Sequence, residues 1–285
     1  MLAPVLTGKW PAVRAAVENV GDQFADLLLS VPPGAMATAD WTVADTAAHV
    51  VGISGKYAAM LRSPAGPGFD PEFTAVLNAT TVDTVVDFNE VLLTHVGERD
   101  PRALAGRLRD DIAEMLRVSA AMDPGEPIDW LGASRVPAAG LLAHLVNELQ
   151  IHGRDIARAT GASWPVSRAD AALFFELFLL GVTTYGYGRL LDRDGPERAG
   201  RIAVEFRSRH TAPAAMILTD GFVTAERPPG RDIDVRLFFD PVVLNLMLFG
   251  RLSRVRAALT GGLTVRGGRR PWLLPAFMSK VRLPS

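Results

Sequence analysis

The 285-residue sequence predicts two units in series, an all-helical bundle and then an α+β domain. Three observations carry that expectation. The length suits about two domains at roughly 150 residues each. Up to residue 161 the apolar residues recur at helical spacing. Beyond Ser163-Trp164-Pro165, short strand-like runs bounded by turn residues take over. The division falls there, giving domains 1–163 and 164–285.

In order, the first helix covers 12–29, with Val13, Ala16, Val20, Phe24, Leu27 and Leu28 on one face, and Pro32-Pro33-Gly34 stops it. A second opens at Trp41-Thr42-Val43-Ala44-Asp45, where Thr42 is the N-cap and Asp45 its reciprocal partner three residues on. It runs to residue 61 or 62, and 63–68 is loop. Helices follow at 82–96 and 102–122, separated by Asp100-Pro101. After the turn-rich stretch 123–137, a long helix spans 138–160 and ends at Gly161. Four or five amphipathic helices on short connections argue for a bundle. The second unit starts with an apolar helix at 169–191 and a loop at 192–196. Strands are expected at 201–206, 215–218, 221–225 and 232–239, with Thr219-Asp220-Gly221 as a hairpin turn. Helices at 242–249 and 253–259 and a strand at 262–265 complete it.

Composition removes several function classes. Lys+Arg number 30 against 31 Asp+Glu, a formal net charge of -1, so the basic footprint of a general nucleic-acid binder is missing. There is no cysteine, which excludes disulfides, cysteine metal knuckles and any protein thiol nucleophile. Thiol chemistry would need a thiol from outside. The most apolar run, 171–182, contains Glu176 and falls short of the ~20 residues a membrane span needs. The apolar patch at the start is too short for a signal-peptide core. A cytoplasmic protein is the expectation.

Among the five histidines, only one segment pairs them with carboxylates at useful spacing: His144, Glu148, His152 and Asp155. Residues four apart on a helix lie one above the other, so Glu148 and His152 can converge on one metal ion. His144 and His152 are about 12 Å apart along the axis, too far to share an ion held by bonds of about 2 Å. A third ligand must come from another helix, and His49, two turns into the second, is the best candidate. Two imidazoles and one carboxylate with an open fourth position suit a catalytic zinc site, although iron(II) or nickel accept the same donors.

The run Trp41-Thr42-Val43-Ala44-Asp45 to His49 resembles the opening of helix two in the mycothiol-dependent maleylpyruvate isomerase family, whose bundle is of the DinB-like metal-binding type. The run Glu148-Leu-Gln-Ile-His152-Gly-Arg-Asp155 to Gly161 resembles that family's second signature. The resemblance implies metal ligation by His49, Glu148 and His152, the same three residues. The segments 200–206, 217–223, 232–237, 240–250 and 257–267 are similar to a sterol-carrier-protein type domain, and relatives of the isomerase carry a related domain after the bundle.

The implied activity is cis–trans isomerisation or thiol transfer on an activated small substrate, with zinc and mycothiol or a similar low-molecular-weight thiol as cofactors. Arg266, in a basic cluster with Arg269 and Arg270, is the candidate for holding a carboxylate of the substrate. Asp155 is a candidate for orienting an imidazole from behind. The aromatic helix with Phe174, Phe175, Phe178 and Leu179 fits either a lipid tunnel or ordinary core. Two other classes use the same residues differently: a hydrophobic-ligand carrier with a structural metal, and a metal hydrolase with water at the open position.

Overall fold

Apolar residues at 13, 16, 17, 20, 24, 27 and 28 form one buried stripe along the first helix, α1 (Leu2–Ser30). In this computed structural model, which describes residues 2–64, 66, 68–192, 199–228, 230 and 232–281, α1 begins ten residues before the expected start at 12. Leu2 and Leu6 are buried, and their packing carries the helix back through Pro11 despite the backbone donor that proline lacks.

The second helix, α2 (Val43–Arg62), starts as expected. The Thr42 hydroxyl accepts from the Asp45 amide and the Asp45 carboxylate accepts from the Thr42 amide. Asp70-Pro71 then caps a short helix, α3 (Pro71–Ala79), that the sequence reading did not anticipate. Next come α4 (Val85–Thr94) and α5 (Pro101–Val118), the latter capped by Asp100. The turn-rich stretch holds a small antiparallel hairpin, β1 (Pro127–Trp130) with β2 (Ser134–Pro137), whose alternation buries Ile128 and Trp130. Almost every side chain of α6 (Ala138–Thr160) is buried up to Ala157, and the helix ends at Gly161 in the left-handed region, as expected. Both α1 and α2 pack against α5 and α6, so these four helices surround one core.

The expected helix over 169–191 is shorter and interrupted. It consists of α7 (Arg168–Leu173), a π-helical segment (Phe174–Leu179) and α8 (Leu180–Tyr185), and it stops at Gly186. The π segment lies on α6 where Gly140 has no side chain, since a Cβ there would sit 2.7 Å from the Leu177 carbonyl oxygen. A five-stranded sheet follows: β3 (Arg201–Arg207), β4 (Ala214–Thr219), β5 (Phe222–Glu226), β6 (Val235–Phe239) and β7 (Leu263–Val265). Their order is β5-β4-β3-β6-β7, with β3 and β6 parallel and the other pairs antiparallel. The β4–β5 turn at Asp220-Gly221 has both residues at positive φ, the hairpin geometry expected there. Helices α9 (Pro241–Leu248) and α10 (Arg254–Leu259) fall where predicted; α11 (Leu274–Lys280) is additional.

Of the predicted loops, Ala65, Pro67 and residues 193–196 lie outside the described residues. One connected set of buried apolar residues runs from Leu2 on α1 to Phe277 on α11. Among the described residues no helix is long and apolar enough to cross a membrane.

Candidate metal and substrate site

Two helices bring the predicted tripod together. The capping box fixes where α2 starts and so sets His49 on the face turned to α6, from which Glu148 and His152 project one turn apart. His49 Nε2 lies 3.7 Å from Glu148 Oε2, and His152 Nε2 lies 3.3 Å from the same oxygen. One donor atom from each residue lies within 4.8 Å of the other two, and all three side chains are buried. Donors about 2 Å from a shared tetrahedral ion stand roughly 3–3.5 Å apart, so small rotations complete the set. Burial holds the His49 imidazole below its ordinary pKa, which keeps it neutral. Burial alone would raise Glu148, but the imidazoles of His152 and His49 beside it outweigh burial and hold the carboxyl well below its usual range. Neutral imidazoles and an ionised carboxylate are the protonation states a divalent ion requires.

A second chain of contacts approaches Glu148 from behind. The Trp130 indole N–H donates to the Tyr57 hydroxyl at 2.9 Å, and that hydroxyl lies 3.0 Å from His144 Nδ1. Every hydrogen finds an acceptor if Tyr57 donates to Nδ1, leaving the His144 proton on Nε2, which faces Glu148 Oε1 at 3.6 Å. His144 thus meets the carboxylate on the oxygen that the other two histidines do not approach. It is a neighbour of the tripod and no member of it, as its eight-residue separation from His152 implied.

The tripod opens into a cavity of about 410 Å³. Trp41 closes one side, its ring centre 4.8 Å from that of His49. Residues 13–157, just over half of the chain, match the family described as the mycothiol maleylpyruvate isomerase N-terminal domain. The chain belongs to that family. Two crystal structures of the mycothiol-dependent maleylpyruvate isomerase, one of them of a mutant, each cover 90% of this chain and 93% of their own. Both give a TM-score of 0.50, at 12% and 13% sequence identity, a likeness of fold. No curated protein matches the chain.

In this member of the maleylpyruvate isomerase family, the sequence reading misplaced the arginine. Arg266 is exposed, its guanidinium lies 5.6 Å from the Phe238 ring centre, and it does not line the cavity. Its backbone amide is tied to the Arg236 carbonyl just past the edge strand β7, which turns the side chain to solvent. Arg251, immediately after α9, lines the cavity instead. It donates from Nε at 3.1 Å and Nη2 at 2.8 Å to Asp155 Oδ2, and that oxygen lies 3.8 Å from His152 Nδ1. Asp155 therefore does sit behind the His152 ring, and it also anchors a cation at the cavity wall.

Tyr57 and Trp130 were missed as well. Tyr57 shares the His49 face of α2, eight residues on, so helical periodicity could have found it. Nothing local marks Arg251, which is 96 residues from Asp155.

Proposed function

We propose that the chain is a mycothiol-associated enzyme that performs cis–trans isomerisation or thiol transfer on an activated small substrate, with a divalent ion, zinc by preference, held by His49, Glu148 and His152. The observation that carries this reading is the buried tripod at the head of a cavity, in a chain of this family. A divalent ion there would supply the charge that keeps an incoming thiol as its thiolate at neutral pH. The chain's own residues do the rest. His49 and His152 present imidazole nitrogens, and Glu148 contributes the one negative charge of the set. Tyr57 and His144 hold that carboxylate in orientation. Arg251 spends three of its five N–H groups, two on Asp155 and one from Nη1 on the Phe249 carbonyl, and keeps the others for a carbonyl or carboxylate oxygen of the substrate.

In this reading residues 1–163 form the DinB-like metal-binding bundle and 164–285 a sterol-carrier-like domain that walls the cavity. The packing of α1 and α2 on α5 and α6, followed by a sheet with flanking helices, supports that division. The test is turnover of an activated alkene, or its conjugation, with metal and thiol withdrawn one at a time. Activity should vanish on either withdrawal; full activity without thiol would replace this reading with the hydrolase.

A further inference from the structure

The cavity wall is strongly unequal in chemistry, and the inequality follows the chain. Of the described residues beyond 174 that line it, Arg251 alone is charged. The remainder of that wall is built from the π segment, the inner face of the sheet and the helices that cover it. Phe175 and Phe178 come from the π segment, Phe206 from β3, Met216 from β4 and Leu244 from α9. All five are buried. In the β3–β4 register Met216 stands opposite Val204, two residues from Phe206, so both cavity residues lie on one face of the sheet.

Two hydroxyl-bearing residues line this stretch, Thr183 and Tyr187. Tyr187 accepts from the Val223 amide and Thr183 donates to the Leu179 carbonyl. A carboxylate placed there would lose its hydration with only the neutral Tyr187 O–H as a donor to replace it. The volume, about 410 Å³, lies within the range that encloses drug-sized ligands. The π turn is part of this arrangement: an extra residue in the helical turn shifts the register of the side chains that follow, and such turns recur at functional sites.

We propose that the substrate is an amphiphile, with a compact polar head at the tripod and Arg251 and a hydrocarbon body lodged between the π segment and the sheet. The cavity's other lining cation, Lys56, stands on α2 with its ammonium over the Phe69 and Phe73 rings, so this wall itself offers a small dicarboxylate, which needs a cationic group at each end, only Arg251. The inference rests on the proposed function only for the identity of the polar end; the apolar body is argued from the wall itself.

The test uses the full-length protein and unreactive probes, so that it is independent of thiol chemistry. Saturated monocarboxylates from four to twelve carbons are titrated, with binding read by calorimetry and by the fluorescence of Trp41 and Trp130, which line the cavity. Affinity should rise about three- to fourfold per added methylene until the cavity is filled. Met216→Trp should abolish the gain with chain length while leaving metal content unchanged. Leu248→Trp, at a half-buried lining position, gives the same reading should the first variant fail to fold. Affinity that is flat with chain length, or a four-carbon dicarboxylate that binds more tightly than decanoate, would overturn the inference. A rising series without thiol-dependent turnover removes the proposed reaction and leaves the amphiphile site standing. Thiol-dependent turnover with a flat series does the reverse.

Discussion

A buried carboxylate such as Glu148 stays ionised only where hydrogen bonds or charge replace its lost hydration. Here two imidazoles approach one oxygen and a third approaches the other, an arrangement that a divalent ion would complete. The three histidines are not equivalent, and this gives the first prediction. His49→Ala and His152→Ala should each abolish stoichiometric binding of a divalent ion, measured by elemental analysis of the purified protein. His144→Ala should keep most of the metal, because its ring faces the carboxylate from outside the tripod. Retention of full metal in both of the first two variants would contradict the assignment. The second prediction concerns the hydrogen bonds behind Glu148. Tyr57→Phe leaves the Trp130 N–H and His144 Nδ1 without their partner, at a cost of about 1–3 kcal/mol in denaturant unfolding. Metal affinity should fall roughly 10–100-fold, the usual scale for losing a group that orients a ligand. An unchanged affinity in a fully folded variant would mean that the chain of contacts is only structural.

Elements were legible where a local rule fixed them. Thr42 and Asp45 announce the start of α2, and the four-residue spacing of Glu148 and His152 places both on one face of α6, so the tripod could be read before any coordinates. The same local rule gives the third prediction: Thr42→Ala should cost about 1 kcal/mol, within a range of roughly 0.5–2, measured by thermal or denaturant unfolding. Because His49 sits two turns into α2, fraying of that first turn should also weaken metal binding. What escaped reading has equally physical reasons. The β1–β2 hairpin is four residues a side, too short for an alternation to stand out from turn chemistry. Leu2 and Leu6 extend α1 through Pro11 by tertiary burial, which overrides the local breaker. The π segment looks like any apolar helix in one dimension, because its departure is in hydrogen bonding. The Arg251–Asp155 pair exists only once the segment that follows α9 has been brought to α6.

At the level of the molecule, the bundle and the sheet share a buried core, with the π segment packed on α6. Thermal unfolding followed by circular dichroism and by tryptophan fluorescence should therefore give one coincident transition; two separated transitions would show that the halves are energetically independent. The sheet also sets an acid limit. Glu205, buried on β3, accepts from Arg236 at 2.6 Å and Arg207 at 2.7 Å. Burial would raise this carboxyl, but the two guanidinium groups outweigh it and hold it below the ordinary glutamate range. Asp234, hydrogen-bonded by Arg270 and the Ala203 amide, is likewise held below 3.8.

A folded pKa below the unfolded one gives stability that is complete well above the unfolded value and is lost as pH falls through the folded value. Stability should thus be level above about pH 5.5 and decline below about pH 4.5. Glu205→Gln should flatten that decline and lower the plateau; an acid limb identical to that of the unmodified protein would show that the pair contributes nothing.

The central claim joins tripod, family and external thiol, and one spectrum tests it most directly. The protein is loaded with cobalt(II) and titrated with mycothiol or a similar low-molecular-weight thiol. Because the chain has no cysteine, any thiolate signal belongs to the added thiol. The account predicts a thiolate-to-cobalt charge-transfer band that saturates at about one thiol per chain and is absent in His49→Ala. A cobalt-loaded protein whose spectrum does not respond to thiol, and whose turnover needs none, would contradict it.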